Sequence, residues 1–130
     1  MNTLNKKIKI LDCTLRDGGY YTNWNFDLKL ANKYLKAIND AKINAVELGY
    51  RFIDKSTQYG KFAYLEEHFL KKLKINKNLS KFVMINSSDF FGNAKETKKK
   101  IDNVFFNKNE TIIDGIRIAV NLNNYKKCKV

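Results

Sequence analysis

The first strongly patterned stretch is a short apolar, β-branched run, Ile8 to Leu11, ending at Asp12 after a polar lead-in from Met1 to Lys7. A run of this length and make-up predicts a buried strand. Gly18 to Phe26, rich in aromatics and asparagine, reads as loop. Asp27 is placed to cap a helix, and Leu28, Ala31, Leu35 and Ile38 recur at helical spacing, so a first helix is expected to about Ala41. Ile43 to Leu48, apolar apart from Asn44 and Glu47, predicts a second strand, with Gly49 to Gly60 as the loop beyond it. Phe62, Leu65, Phe69 and Leu73 mark a second helix. Phe82 to Ile85 is a third strand, followed by a loop from Asn86 to Gly92. Ala94, Ile101, Val104 and Phe105 suggest a third helix, and Ile112 to Val120 contains a fourth strand. Asn123 to Val130 could start a fourth helix.

The order is therefore β-α-β-α-β-α-β. Strands alternating with helices predict an α/β fold with a parallel sheet and right-handed crossover helices. With no proline and no linker-like stretch, 130 residues read as one domain. Periodicity leaves two architectures open, a small open sheet and half of a (β/α)₈ barrel, which typically takes about 250 residues. No apolar run is long enough to span a bilayer, and the start lacks the apolar core of a signal peptide. Cys13 and Cys128 are the two cysteines and suggest no disulfide framework, so a reducing, cytoplasmic setting is expected.

The formal net charge of +12 raises nucleic acid as a partner. Only Arg16, Arg51 and Arg117 are arginines, however, and bidentate phosphate and base recognition favours arginine over dispersed lysine. Lys98-Lys99-Lys100 reads as a solvated helix face. A lysine-rich composition is the preferred account, and nucleic acid a lesser alternative.

Chemistry concentrates where the first strand ends, in Leu11-Asp12-Cys13-Thr14-Leu15-Arg16-Asp17-Gly18-Gly19-Tyr20. Parallel α/β proteins place their sites at strand ends. On regular strand alternation Arg16 and Asp17 would point to opposite sides, and Gly18 and Gly19 permit a bend there. Asp17 reads either as a plain Asp-Gly turn or as a ligand for a hard divalent cation. Glu47, between Val46 and Leu48, needs a partner if buried. Arg117 alternates with Ile116 and Ile118 and so faces away from both. Arg51 and Arg117 are candidates to bind a substrate carboxylate or phosphate, with ordinary surface arginine as the alternative. Tyr21 and Trp24 read as packed loop aromatics or as the floor of a pocket. His68, the single histidine, lies beside the apolar stripe of its helix and reads as exposed. Cys13 reads as a small strand hydrophobe.

Thr14-Leu15-Arg16-Asp17-Gly18 at a strand end, with Val46-Glu47-Leu48-Gly49 on the next strand, resembles the DRE-TIM metallolyases. This is the family of 3-hydroxy-3-methylglutaryl-CoA lyase, isopropylmalate synthase and the 4-hydroxy-2-oxovalerate aldolases. The resemblance implies the N-terminal half of an aldolase-type barrel, acting on pyruvate or another 2-oxo acid through an enolate. It implies Arg16 as the charge that stabilises the enolate oxygen, Glu47 as the residue orienting Arg16, and Asp17 as a ligand to Mn²⁺ or Mg²⁺. Tyr20 stands where the hydroxy-oxovalerate aldolases carry a histidine proposed as base and the lyases and synthases a glutamine. Tyrosine, with an ordinary pKa of about 10, is a reluctant base, which leaves the reaction type open. The family's His-x-His metal pair is absent from this sequence, so the chain is expected not to hold the metal tightly or to act alone. The expected partners are the missing half-barrel or a second copy. A non-catalytic interaction module is the main alternative to an enzyme.

Overall fold

The computed structural model describes residues 8–105 and 110–128. The polar lead-in and the last two positions of the expected fourth helix lie outside them. Four strands, β1 (Leu11–Asp12), β2 (Ala45–Tyr50), β3 (Ser80–Asn86) and β4 (Gly115–Ala119), form one sheet in the order β1-β2-β3-β4, with every neighbouring pair parallel. Four helices lie between them: α1 (Thr14–Thr22), α2 (Leu28–Asp40), α3 (Glu67–Leu70) and α4 (Ala94–Val104). This is the α/β fold that the alternating pattern predicts, with strands in sequence order as in half of a barrel. Among the described residues, no helix is long and apolar enough to cross a membrane.

The core is the layer between sheet and helices. Val46, Leu48 and Val83 from the strands meet Ala31, Leu35 and Ile38 from one face of α2, all buried. That face is the periodic stripe read from the sequence, and Asp27 caps the helix by accepting from the Leu30 N–H at 2.8 Å. α4 begins with a reciprocal cap, Asn93 and Glu96 each bonding the other's backbone N–H.

Four expectations are corrected. The first strand does not begin at Ile8: Ile8 is 83% exposed and Ile10 52%, and pairing with β2 covers only Leu11 and Asp12. Among the described residues, no strand lies beyond β1 to bury an earlier segment. The expected loop from Gly18 onward is largely helix, because α1 runs through Thr22. Asp12 starts α1 by accepting from the Thr14 N–H at 2.9 Å, and Leu15 anchors it in the core. Gly19 is needed there because the Trp24 indole lies 1.9 Å from where its Cβ would be. Close packing, rather than a bend, accounts for that glycine. The second helix is reduced to a 3₁₀ turn at Lys61–Ala63 and the four residues of α3. Leu65 has φ 39°, which breaks any continuous helix there, although Phe62, Leu65, Phe69 and Leu73 are all buried as their spacing suggested. The segment expected to start a fourth helix forms a 3₁₀ stretch at Leu122–Cys128.

Candidate active site

One polar cluster gathers where β1 ends, beside the middle of β2 and of β4, and Glu47 is its centre. This glutamate is fully buried on β2, and its Oε2 accepts from Arg16 Nε at 2.8 Å and from Arg117 Nη1 at 3.0 Å. Glu47 Oε1 is buried without a hydrogen-bond partner among the described residues. A carboxylate in so dry a place is retained only because two guanidiniums share its charge.

Each arginine arrives from a different element. Arg16 lies in the first turn of α1, directly after β1, and β1 lies beside β2. Its Nη1 also pairs with Asp17 Oδ1 at 2.5 Å, and its side chain is 16% exposed. The Arg16 backbone carbonyl accepts from the buried Trp24 indole at 3.1 Å, which fixes the turn that carries the guanidinium. Burial opposes the Arg16 charge, but the hydrogen bond and charge of Glu47 and the charge of Asp17 outweigh it, so the guanidinium is held more firmly protonated than usual.

Arg117 comes from β4 and reaches across β3. Ile116 and Ile118 stand on the other face, 44% and 58% exposed, so strand alternation holds here. Arg117 Nη1 also lies 3.4 Å from Cys13 Sγ. Burial and then the Glu47 carboxylate push the Cys13 thiol up from its ordinary range, which keeps it protonated. Cys13 therefore belongs to the cluster, a role that its reading as a small strand hydrophobe did not suggest.

Tyr20 follows Arg16 by one helical turn, and its hydroxyl lies 2.7 Å from that of Tyr50, at the end of β2. Trp24 is buried against both rings, whereas Tyr21 is 93% exposed. Trp24 is thus the floor beneath Tyr20, and Tyr21 takes no part in it.

Arg51 is placed elsewhere. It is 3% exposed, bonds Glu67 at 2.6 Å and the Val104 carbonyl at 3.0 Å, and lies over the Phe105 ring. Those partners tie the end of β2 to α3 and α4, and none belongs to the Glu47 cluster. A binding arginine needs free donors facing a ligand, and two Arg51 nitrogens are already engaged in this structural tie. His68 is exposed and stands 3.4 Å from Glu66.

The donor set does not make a metal centre by itself. Among the described residues, no three His, Cys, Asp or Glu side chains form a metal-binding group. Asp17 is exposed and paired with Arg16, one carboxylate where a hard cation takes about six oxygens.

No protein-family model matches this chain, and no curated protein does. Among solved structures it is similar to the N-terminal domain of a putative aldolase from Bacteroides vulgatus, with 36% sequence identity and a TM-score of 0.69 over 93% of this chain. The chain spans 38% of that neighbour's chain, so the likeness is to part of it.

Proposed function

We propose that this chain supplies the enolate-stabilising half of an aldolase acting on pyruvate or another 2-oxo acid. Making or breaking a carbon–carbon bond beside a carbonyl passes through an enolate, and a fixed positive charge at its oxygen lowers that barrier. Arg16 is suited to this task. Glu47 and Asp17 occupy its Nε and Nη1, which sets the guanidinium plane and leaves Nη2 for a substrate oxygen. Arg117, about two-fifths exposed on the same carboxylate, is suited to a substrate carboxylate. A Mg²⁺ or Mn²⁺ ion would take Asp17 as one ligand and find the others outside this chain, so the isolated chain is expected to show little aldol cleavage. The observation that carries the reading is the single buried Glu47 oxygen shared by two arginines, one just after the end of β1 and one on β4. The similarity to an aldolase's N-terminal domain supports it.

Oxalate, planar and dianionic like the enolate of pyruvate, tests the reading without turnover. Titrated into the 130-residue chain with and without Mg²⁺, it is expected to give saturable NMR shifts at Arg16 and Arg117 in the millimolar range. Arg16→Met is expected to abolish them. Absence of saturable shifts, or equal binding by Arg16→Met, would refute the reading.

A further inference from the structure

β2 contains an irregularity that bears on Tyr20. In a regular strand, residues three apart point to opposite faces. Glu47 and Tyr50 are three apart, yet both meet α1: Glu47 bonds Arg16, and Tyr50 bonds Tyr20. Arg16 and Tyr20 are four residues apart in α1 and so share one helix face. The strand reconciles these contacts by slipping register against β3 between Glu47 and Tyr50. Gly49 makes the slip possible. Its φ is 156°, and a Cβ there would stand 2.1 Å from the Phe62 carbonyl oxygen.

The slip delivers a well-held hydroxyl. Tyr50 is 2% exposed, its ring stacks on Phe52 at 4.4 Å, and Trp24 packs edge-on at 5.5 Å. Tyr20 is 59% exposed, with its outer side open. We propose that Tyr50 is a positioning residue that holds the Tyr20 hydroxyl on the Arg16 face of α1, so that Tyr20 and Arg16 offer hydrogen-bond donors to the same substrate oxygen. Burial, and next the hydrogen bond to Tyr20, push Tyr50 above the ordinary tyrosine range. Either hydroxyl can be the donor in this pair; in the proposed arrangement the buried Tyr50 O–H donates to the Tyr20 oxygen, and the Tyr20 O–H is left for the ligand. In this arrangement Tyr20 acts as a donor, the role for which tyrosine is better suited than that of base. The ligand role rests on the 2-oxo acid reading above, but the Tyr50–Tyr20 coupling does not.

Tyr50→Phe, Tyr20→Phe and the double variant test both parts in the full chain, with thermal melting to confirm the fold. In protein carrying ¹³C-labelled tyrosine, the Tyr20 ¹³Cζ resonance is expected to move in Tyr50→Phe, because its hydroxyl loses a donor. Each single variant is expected to weaken oxalate about three- to tenfold, the scale of one hydrogen bond. The double variant is expected to bind no more weakly than Tyr20→Phe, because Tyr50 acts through Tyr20. An unmoved Tyr20 resonance in Tyr50→Phe would overturn the positioning role. Losses that multiply in the double variant would overturn it too, since they would mean that Tyr50 acts on the ligand independently. If the wild-type chain does not bind oxalate, the 2-oxo acid reading and the donor role fall together, and the resonance alone then decides whether Tyr50 holds Tyr20.

Discussion

Glu47 shows what a single side chain can reveal before any coordinates exist. A carboxylate inside an apolar strand needs a cationic partner, and Arg16 and Arg117 were two of only three arginines in the sequence. That one oxygen serves both was not legible, because it depends on Arg117 reaching from β4 past β3 to β2. Arg51 looked equivalent to Arg117 in the sequence and is not, since its partners Glu67 and the Val104 carbonyl come from elements whose placement only the fold decides. Removing Glu47 takes the carboxylate from Arg117 and leaves Arg16 with Asp17 alone. Glu47→Ala is expected to cost about 3 kcal/mol in urea unfolding, the lower end of the range for a broken buried pair because both arginines retain some solvent. In oxalate binding the order reverses: Arg16→Ala should lose more than Glu47→Ala, since the first removes the charge and the second only its orientation.

At the level of elements, apolar spacing around α2 and α3 reported burial more faithfully than backbone shape. α2 was legible because its cap and stripe agree. The segment around α3 was not, because Leu65 at positive φ interrupts a pattern that spacing alone would carry on as helix. α1 was hidden by Gly18 and Gly19, each of which costs a helix about 1 kcal/mol relative to alanine, a penalty that packing against Leu15 and Trp24 offsets. The β3–β4 pairing carries its own titratable clamp. Asp114 accepts from the Lys81 backbone N–H at 2.8 Å and pairs with the Lys81 ammonium at 2.8 Å, while its own N–H bonds the Lys81 carbonyl. Burial would raise the Asp114 carboxyl, but the Lys81 interactions outweigh it and hold the group below its ordinary value. A depressed carboxylate stabilises the fold above its unfolded pKa, about 3.9, and loses that contribution as pH falls through the lower folded value. Asp114→Asn should therefore flatten the fall in stability below about pH 4. Melting temperatures recorded between neutral and acid pH would check this, and an acid limb as steep as that of the wild type would count against the clamp.

At the largest scale, β1 and β4 each have an edge without a strand partner among the described residues, and on β4 the isoleucines at 116 and 118 stand exposed. Such edges favour association with other chains. The formal charge of +12 opposes it at low ionic strength, where like charges repel over longer distances. Sedimentation velocity is therefore expected to show association that grows with protein concentration and with added salt. A compact monomer at every salt concentration would contradict this.

The shared Glu47 oxygen also has a consequence for the time course of folding. Its two arms close very different lengths of chain: the bond to Arg16 spans 31 residues and the bond to Arg117 spans 70. Longer closures cost more chain entropy and tend to form later. The Arg16 arm can form once β1, α1 and β2 have assembled, whereas the Arg117 arm must wait for β4. An interaction made after the rate-limiting barrier slows escape from the native state without speeding arrival. Stopped-flow measurements on Arg117→Ala should show faster unfolding with refolding almost unchanged, while Arg16→Ala should slow refolding as well. The last strand to dock would then act as a latch, setting how long the folded molecule persists more than how quickly it is reached.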